Sequence, residues 1–166
     1  MSLFDRVKEC QRWERSRYRP FRVDGLCLGS VTHSFADRLK GFPAVFAVSS
    51  EAVELASGLQ GFEARSRALD EVLRQLQEEG LIKGWREEAY PVGSSLHSVP
   101  LLKMERAAVP LFGVRAYGVH LNGFVGKGES LRLWVARRSA SKQTAPGKLD
   151  HIVAGGQPMG LSLMDN

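Results

Sequence analysis

Apolar positions fall into helical spacing most clearly between residues 62 and 79. Leu69, Val72, Leu73 and Leu76 recur at i, i+3, i+4 and i+7, and Gly80 stands where a C′ residue belongs. This predicts one long amphipathic helix. A second periodic stretch, residues 2 to 16, places Leu3, Phe4, Val7, Cys10 and Trp13 near one helical face. Ser2 and Asp5 have the spacing of an N-terminal capping box. Between these helices the pattern shortens. FRVDG at 21–25 and LCLGSV at 26–31 read as β-like pieces around Gly25. Thr32 or Ser34 is placed to cap a short helix through Ala36, Leu39 and Lys40, which Gly41 and Pro43 end. AVFAV at 44–48 reads as a buried strand.

After Pro100 the texture changes. LFGVRAYGVHLNGFV at 111–125 is long, apolar and dotted with glycine, and reads as a strand with a bulge or close backbone approach. GKGES at 126–130 reads as a hairpin turn. LRLWVARR at 131–138 alternates, with Leu131, Leu133 and Val135 opposite Arg132 and Trp134. A polar loop, SASKQTAPGK, leads to a third strand, HIVA at 151–154, followed by a Gly155-Gly156 turn. The pattern predicts an α+β chain in two parts, residues 1–110 and 111–166, with no internal repeat.

Composition narrows the classes. The apolar fraction of 43% over 166 residues supplies a core, and the charged fraction of 25% is ordinary for a globular protein. The longest apolar runs are too short for a membrane span, so no membrane partner is expected. Two cysteines, Cys10 and Cys27, make no disulfide framework, and the four histidines lack metal-ligand spacing. Sparse cysteine and an N-terminus without a long apolar run give the cytosol as the default location. The net charge of +5 favours anionic or phosphorylated partners. The basic residues alternate with acids and are not striped with aromatics, so nucleic acid is not the expected partner. Oligomeric state is not legible.

The candidate chemistry is modest. GKGES lacks the full phosphate-loop pattern and sits between strands, so the hairpin reading prevails. Glu87 and Glu88 are sequence neighbours, which diverge on either a helix or a strand, so they are read as structural. His120 has two readings: a half-buried histidine with a hydrogen-bond partner, or a pocket residue sharing a face with Asn122. Arg137 and Arg138, beside Ser139, Ser141, Lys142 and Thr144, form a possible patch of anion donors.

These residues carry a resemblance. FGVRAYGVHLNGFV and LRLWVARRSASKQTAPGKLDHIVAGGQPMG resemble the start of a Nudix hydrolase domain. FRVDGLCLGSV, FPAVFAV, RSRALDEVLRQLQEEGLIKGWREEAYPV and LLKMERAAVPLFG resemble the N-terminal extension of the thiamine-pyrophosphokinase-related branch of that family. The resemblance implies an α/β/α sandwich around a mixed sheet, preceded by an extension domain. It implies cleavage of a pyrophosphate linkage in a small-molecule diphosphate, here thiamine diphosphate or its oxidised analogues. It implies Mg²⁺ held by glutamates three and four residues apart on one helix face. Carried over, Gly155 and Gly156 match the opening glycines of the signature and would contribute to the metal site. Gly160 matches the glycine before its helix, and Arg137 and Arg138 would line the substrate cleft. Lys142, His120 and Asn122 complete the expected substrate-binding set. Leu161 stands where the general signature has glutamate, and the QPM loop is one residue short. The glutamate helix is expected beyond Asn166. The chain as written is therefore expected to be a fragment, short isoform or degenerate copy that is inactive by itself, with no catalytic residue of its own. Its last strands are expected to be poorly covered. The alternative is a non-catalytic ligand- or partner-binding module built on the N-terminal part.

Overall fold

The structure is a computed structural model that describes residues 2–142 and 144–166. The chain is α+β and divides into two compact units, one ending at Arg115 and the other Ala116–Asn166.

In the first unit, β1 (Tyr18–Val23) and β2 (Leu26–Thr32) form an antiparallel hairpin. The turn is Asp24-Gly25, both at positive φ, 49° and 74°. That is the turn whose twist suits a two-residue hairpin, and Asp-Gly is a favoured pair for it. β1 also pairs in parallel with β4 (Val53–Leu55), and β3 (Phe46–Val48) closes the sheet in the order β2-β1-β4-β3. The helix α1 (Leu3–Cys10) carries the predicted Ser2–Asp5 capping box, but none of its residues is buried. Trp13 falls beyond its end and stacks on Tyr18 at 5.9 Å. The helix α2 (His33–Leu39) is capped by the Thr32 side chain, which accepts from the Phe35 amide.

The helix α3 (Phe62–Glu78) buries the predicted stripe of Leu69, Val72, Leu73 and Leu76. Its end is a Schellman motif: the Gly80 amide donates to Gln77, and the Leu81 amide to Leu76. Arg65, like the neighbouring Ser66, is a polar residue on the buried face of α3. Its guanidinium, 5% exposed, donates to both Asp24 oxygens at 2.8 and 2.7 Å and to the Leu59 carbonyl at 3.0 Å. The hairpin turn is thereby tied to the helix.

The β5 (Ala89–Val92) and β6 (Leu102–Glu105) ladder packs beside α3. Glu87 and Glu88 diverge as expected. Glu88 pairs with Arg106 at 2.6 Å, while Glu87, at φ 56°, accepts from the Trp85 indole at 2.8 Å. The short helix α4 (Val109–Phe112) supplies Phe112, whose ring centroid lies 5.1 Å from that of Phe21 and 5.2 Å from that of Phe35. Two glycines permit this seat. A Cβ on Gly29 would meet the Phe112 carbonyl oxygen at 2.3 Å, and one on Gly113 would meet the Ser30 carbonyl oxygen at 2.4 Å.

Among the described residues, the second unit contains three two-stranded antiparallel ladders. They are β7 (Gly118–Leu121) with β12 (Val153–Gly156), β8 (Phe124–Val125) with β9 (Arg132–Leu133), and β10 (Ala136–Arg137) with β11 (Leu149–Asp150). GKGES is the predicted hairpin connection. Three local expectations change. The 111–125 stretch begins in α4 and is not one strand. The 131–138 stretch breaks at Trp134-Val135, so its alternation does not define a single face. The double glycine is not a turn after a strand but the end of β12, where Gly155 faces Val119 and Gly156 faces Gly118. A Cβ on Gly118 would lie 2.7 Å from the Gly155 carbonyl oxygen, so this ladder is closer than side chains allow. Apolar side chains stay exposed here, Phe124 at 65% and Trp134 at 63% among them. Among the described residues of this unit only Gln157 is buried.

Candidate functional site

The second unit gathers part of the predicted site around the end of β11. His120 on β7 faces Ala154 across the ladder and reaches His151, Nδ1 to Nδ1 at 3.1 Å. The rings meet nearly edge to face, with centroids 4.7 Å apart. That contact requires one ring to donate Nδ1–H and the other to accept on a bare Nδ1. The backbone amide of His151 donates to Asp150 Oδ1 at 2.9 Å, and its Nδ1 lies 3.4 Å from the same oxygen. Asp150 in turn pairs with Arg138 Nη1. The hydrogen bond from the Arg138 guanidinium, followed by that from the His151 amide, holds the Asp150 carboxyl below its ordinary value. A chain of polar contacts thus runs from His120 through His151 and Asp150 to Arg138.

The arginines do more than face solvent. Arg138 donates through Nε and Nη2 to the Thr144 carbonyl at 3.1 and 2.9 Å. Arg137 donates to the Gly147 carbonyl at 3.0 Å. Together they clamp the loop between β10 and β11, so much of their donor capacity goes to the chain itself. Arg137 remains exposed with further N–H groups. Lys142 and Asn122 are exposed, and neither side chain makes a hydrogen bond among the described residues. Asn122 lies one residue past the end of β7.

The glycines are organised by Gln157 and Asn166, neither of which the sequence reading placed in the site. Gln157 donates its amide to the Tyr117 carbonyl at 2.8 Å and its side chain to the Leu161 carbonyl at 2.7 Å. Asn166 donates Nδ2 to the Gly156 carbonyl at 2.9 Å and to Gln157 Oε1 at 3.1 Å. Asp150 and His151 were not singled out in the sequence, since their link to Arg138 depends on the β10–β11 register.

A protein-family profile described as "Domain of unknown function (DUF4743)" matches residues 2–116, and the chain belongs to that family. Over its length it is similar to proteins named Nudix hydrolases. It is 37% identical to "Nudix hydrolase 20, chloroplastic" of Arabidopsis thaliana over 175 residues, covering 99% of this chain and 47% of that protein. It is also 37% identical to "Nudix hydrolase 24, chloroplastic" of the same plant over 168 residues, covering 99% and 46%. "Uncharacterized protein YJR142W" of Saccharomyces cerevisiae is 36% identical over 120 residues, covering 69% of this chain and 34% of that one. The chain spans about half the length of the plant relatives it matches.

The cytosolic expectation is corrected by these names, since both plant relatives are called chloroplastic. Low cysteine content reports a reducing environment and does not separate one such compartment from another. No helix of the described residues is long and apolar enough to cross a membrane.

Nudix hydrolases generally use divalent metals such as Mg²⁺. The described residues do not by themselves fit that ion. Gly155 and Gly156 offer backbone carbonyls, that of Gly156 already accepts from Asn166, and no group of three or more His, Cys, Asp or Glu converges on one point. Mg²⁺ asks for a near-octahedral oxygen shell with carboxylates.

Proposed function

We propose that this chain forms the substrate-facing half of a Nudix-type pyrophosphohydrolase acting on thiamine diphosphate or its oxidised analogues. The observation that carries the reading is the 37% identity to two plant Nudix hydrolases, which extends over 99% of the chain and so includes the second unit as well as the DUF4743 domain. The resemblance of Gly155, Gly156 and Gly160 to the opening of the Nudix signature supports it. In this reading His120, Asn122, Arg137 and Lys142 meet the diphosphate substrate, while Arg138 holds the β10–β11 loop that carries Lys142. Gly155 and Gly156 would offer backbone carbonyls toward a divalent metal, whose carboxylate ligands are not gathered among the described residues.

Alone, the 166-residue chain is expected to bind and not to turn over. The test compares it with a chimera that carries the remaining half of an Arabidopsis relative. Thiamine diphosphate plus water should give one thiamine monophosphate and one phosphate, only with Mg²⁺ and only in the chimera. His120→Ala and Lys142→Ala in the chimera should raise KM. Turnover by the 166-residue chain would refute its inactivity. Absence of turnover by a folded chimera, on thiamine diphosphate and on ADP-ribose alike, would refute the hydrolase reading.

A further inference from the structure

The first unit contains a half-open cleft of about 430 Å³, within the range of small-molecule sites, lined by α3 on one side and the β5–β6 ladder on the other. It is polarised along its length. At one end the Trp85 ring is fixed twice. Its indole N–H donates to Glu87 at 2.8 Å, and the Arg74 guanidinium, itself bonded to Asp70 at 2.8 Å, lies 5.1 Å from the ring centroid. The left-handed backbone at Glu87, φ 56°, belongs to the same corner. Glu105 is in this half, opposite Ala89 across the ladder and only 6% exposed. Its Oε1 accepts the amides of Arg86 and Ala107 at 3.0 and 3.1 Å. A carboxylate has about four acceptor positions, so capacity remains for a donor from the cleft.

The other end is cationic. Lys103 lies two residues before Glu105 on β6, on the same side of the strand and roughly 6.7 Å away. Its backbone amide donates to the buried Ser66 hydroxyl of α3 at 3.0 Å, and both Lys103 and Arg67 line the cleft. Arg67 is seven residues, or about 10 Å along the helix, from Arg74. Among the described residues neither Arg67 nor Lys103 forms an ion pair, although Glu63 shares their end of the cleft. Asp70, Arg74 and Glu87 are paired with one another, so Arg67 and Lys103 are two cations against the single carboxylate of Glu63 at this end, and their N–H donors remain available to an anion.

We propose that this cleft is a second small-molecule site, for an amine-bearing heteroaromatic monophosphate of the nucleotide kind. The ring stacks on Trp85, its exocyclic amine donates to Glu105, and the phosphate is held by Arg67 and Lys103. All of these residues lie in the DUF4743 domain, and none belongs to the set assigned to diphosphate hydrolysis. The site therefore does not depend on that assignment.

Trp85 is a built-in reporter. In the 166-residue chain carrying Trp13→Phe and Trp134→Phe, tryptophan emission is titrated with adenosine monophosphate, adenosine and inorganic phosphate. Adenosine monophosphate should give a saturable change at submillimolar concentration, and adenosine one at least tenfold weaker. Phosphate should give none in the same range. Arg67→Ala with Lys103→Ala, both exposed positions, should weaken adenosine monophosphate at least tenfold and leave adenosine and the unfolding midpoint unchanged. No saturable change with adenosine monophosphate overturns the proposal. So does an affinity that the double variant leaves unmoved, which would place binding elsewhere and leave the hydrolase reading intact.

Discussion

Removing the carboxylate of Asp24 should loosen the first unit more than its place on a surface turn suggests. Asp24 is half exposed, but its partner Arg65 is 5% exposed and is otherwise held by the Leu59 carbonyl. Breaking a fully buried pair by deleting one member costs about 3–5 kcal/mol, because the other charge stays desolvated. Exposure of Asp24 screens part of this, and hydrogen bonds to charged groups are worth about 1.5–3 kcal/mol. The expected loss for Asp24→Ala is therefore about 2–3 kcal/mol. Part of that is conformational, since Asp tolerates the φ of 49° better than Ala. Asp24→Asn separates the terms: it keeps the turn preference and an acceptor oxygen but removes the charge, and should lose about 1–2 kcal/mol. In an Arg65→Met background the buried charge is gone, so Asp24→Asn should become nearly neutral. The assay is urea unfolding of the single-tryptophan protein that keeps Trp85, which reports the first unit. Equal losses for Asp24→Asn in both backgrounds would refute the coupling. A wild-type-like midpoint for Asp24→Ala would refute the argument altogether.

Three further outcomes follow from the packing and charges. Gly29→Ala forces a methyl against the Phe112 carbonyl oxygen and should destabilise the first unit by about 1–3 kcal/mol in the same assay; an unchanged midpoint would contradict the close approach. The Asp150 carboxyl is held below its ordinary value by Arg138, so its contribution to the β10–β11 loop is complete above the unfolded pKa of about 3.9 and fades as pH falls through the lower folded value. Amides that the loop protects, such as Arg138 and Gly147, should show constant protection from pH 5 to 8 and lose it in acid, and Arg138→Gln should lose it across the whole range. Hydrogen exchange should also be much faster in residues 116–166 than in α3, because isolated two-stranded ladders with exposed apolar faces are marginal; equal protection would contradict the ladder assignment.

The elements legible in the sequence are those whose signals are local. The α3 stripe with Gly80, the Ser2–Asp5 box, the Thr32 cap and the GKGES hairpin each depend on residues within a turn or two. What the pattern missed depends on register. LRLWVARR alternates like a strand, yet its two halves pair with different partners, Phe124-Val125 and Leu149-Asp150. The double glycine looked like a turn because glycine is common in turns, whereas its use is the close β7–β12 pairing opposite Gly118. The candidate site divides likewise. His120 was recognised as a polar residue on a strand, but its partner His151 is 31 residues away and appears only when β7 and β12 are paired. Arg137 and Arg138 were recognised as anion donors, and their carbonyl partners across the loop could not be read from composition.

The most direct measurement of the central claim is the fate of thiamine diphosphate with Mg²⁺, followed by phosphorus NMR, in the chimera of this chain with the remaining half of its plant relative. The account predicts equal amounts of thiamine monophosphate and inorganic phosphate, and an unchanged spectrum with the 166-residue chain alone. A folded chimera that leaves the diphosphate intact, or a lone chain that consumes it, would contradict the account.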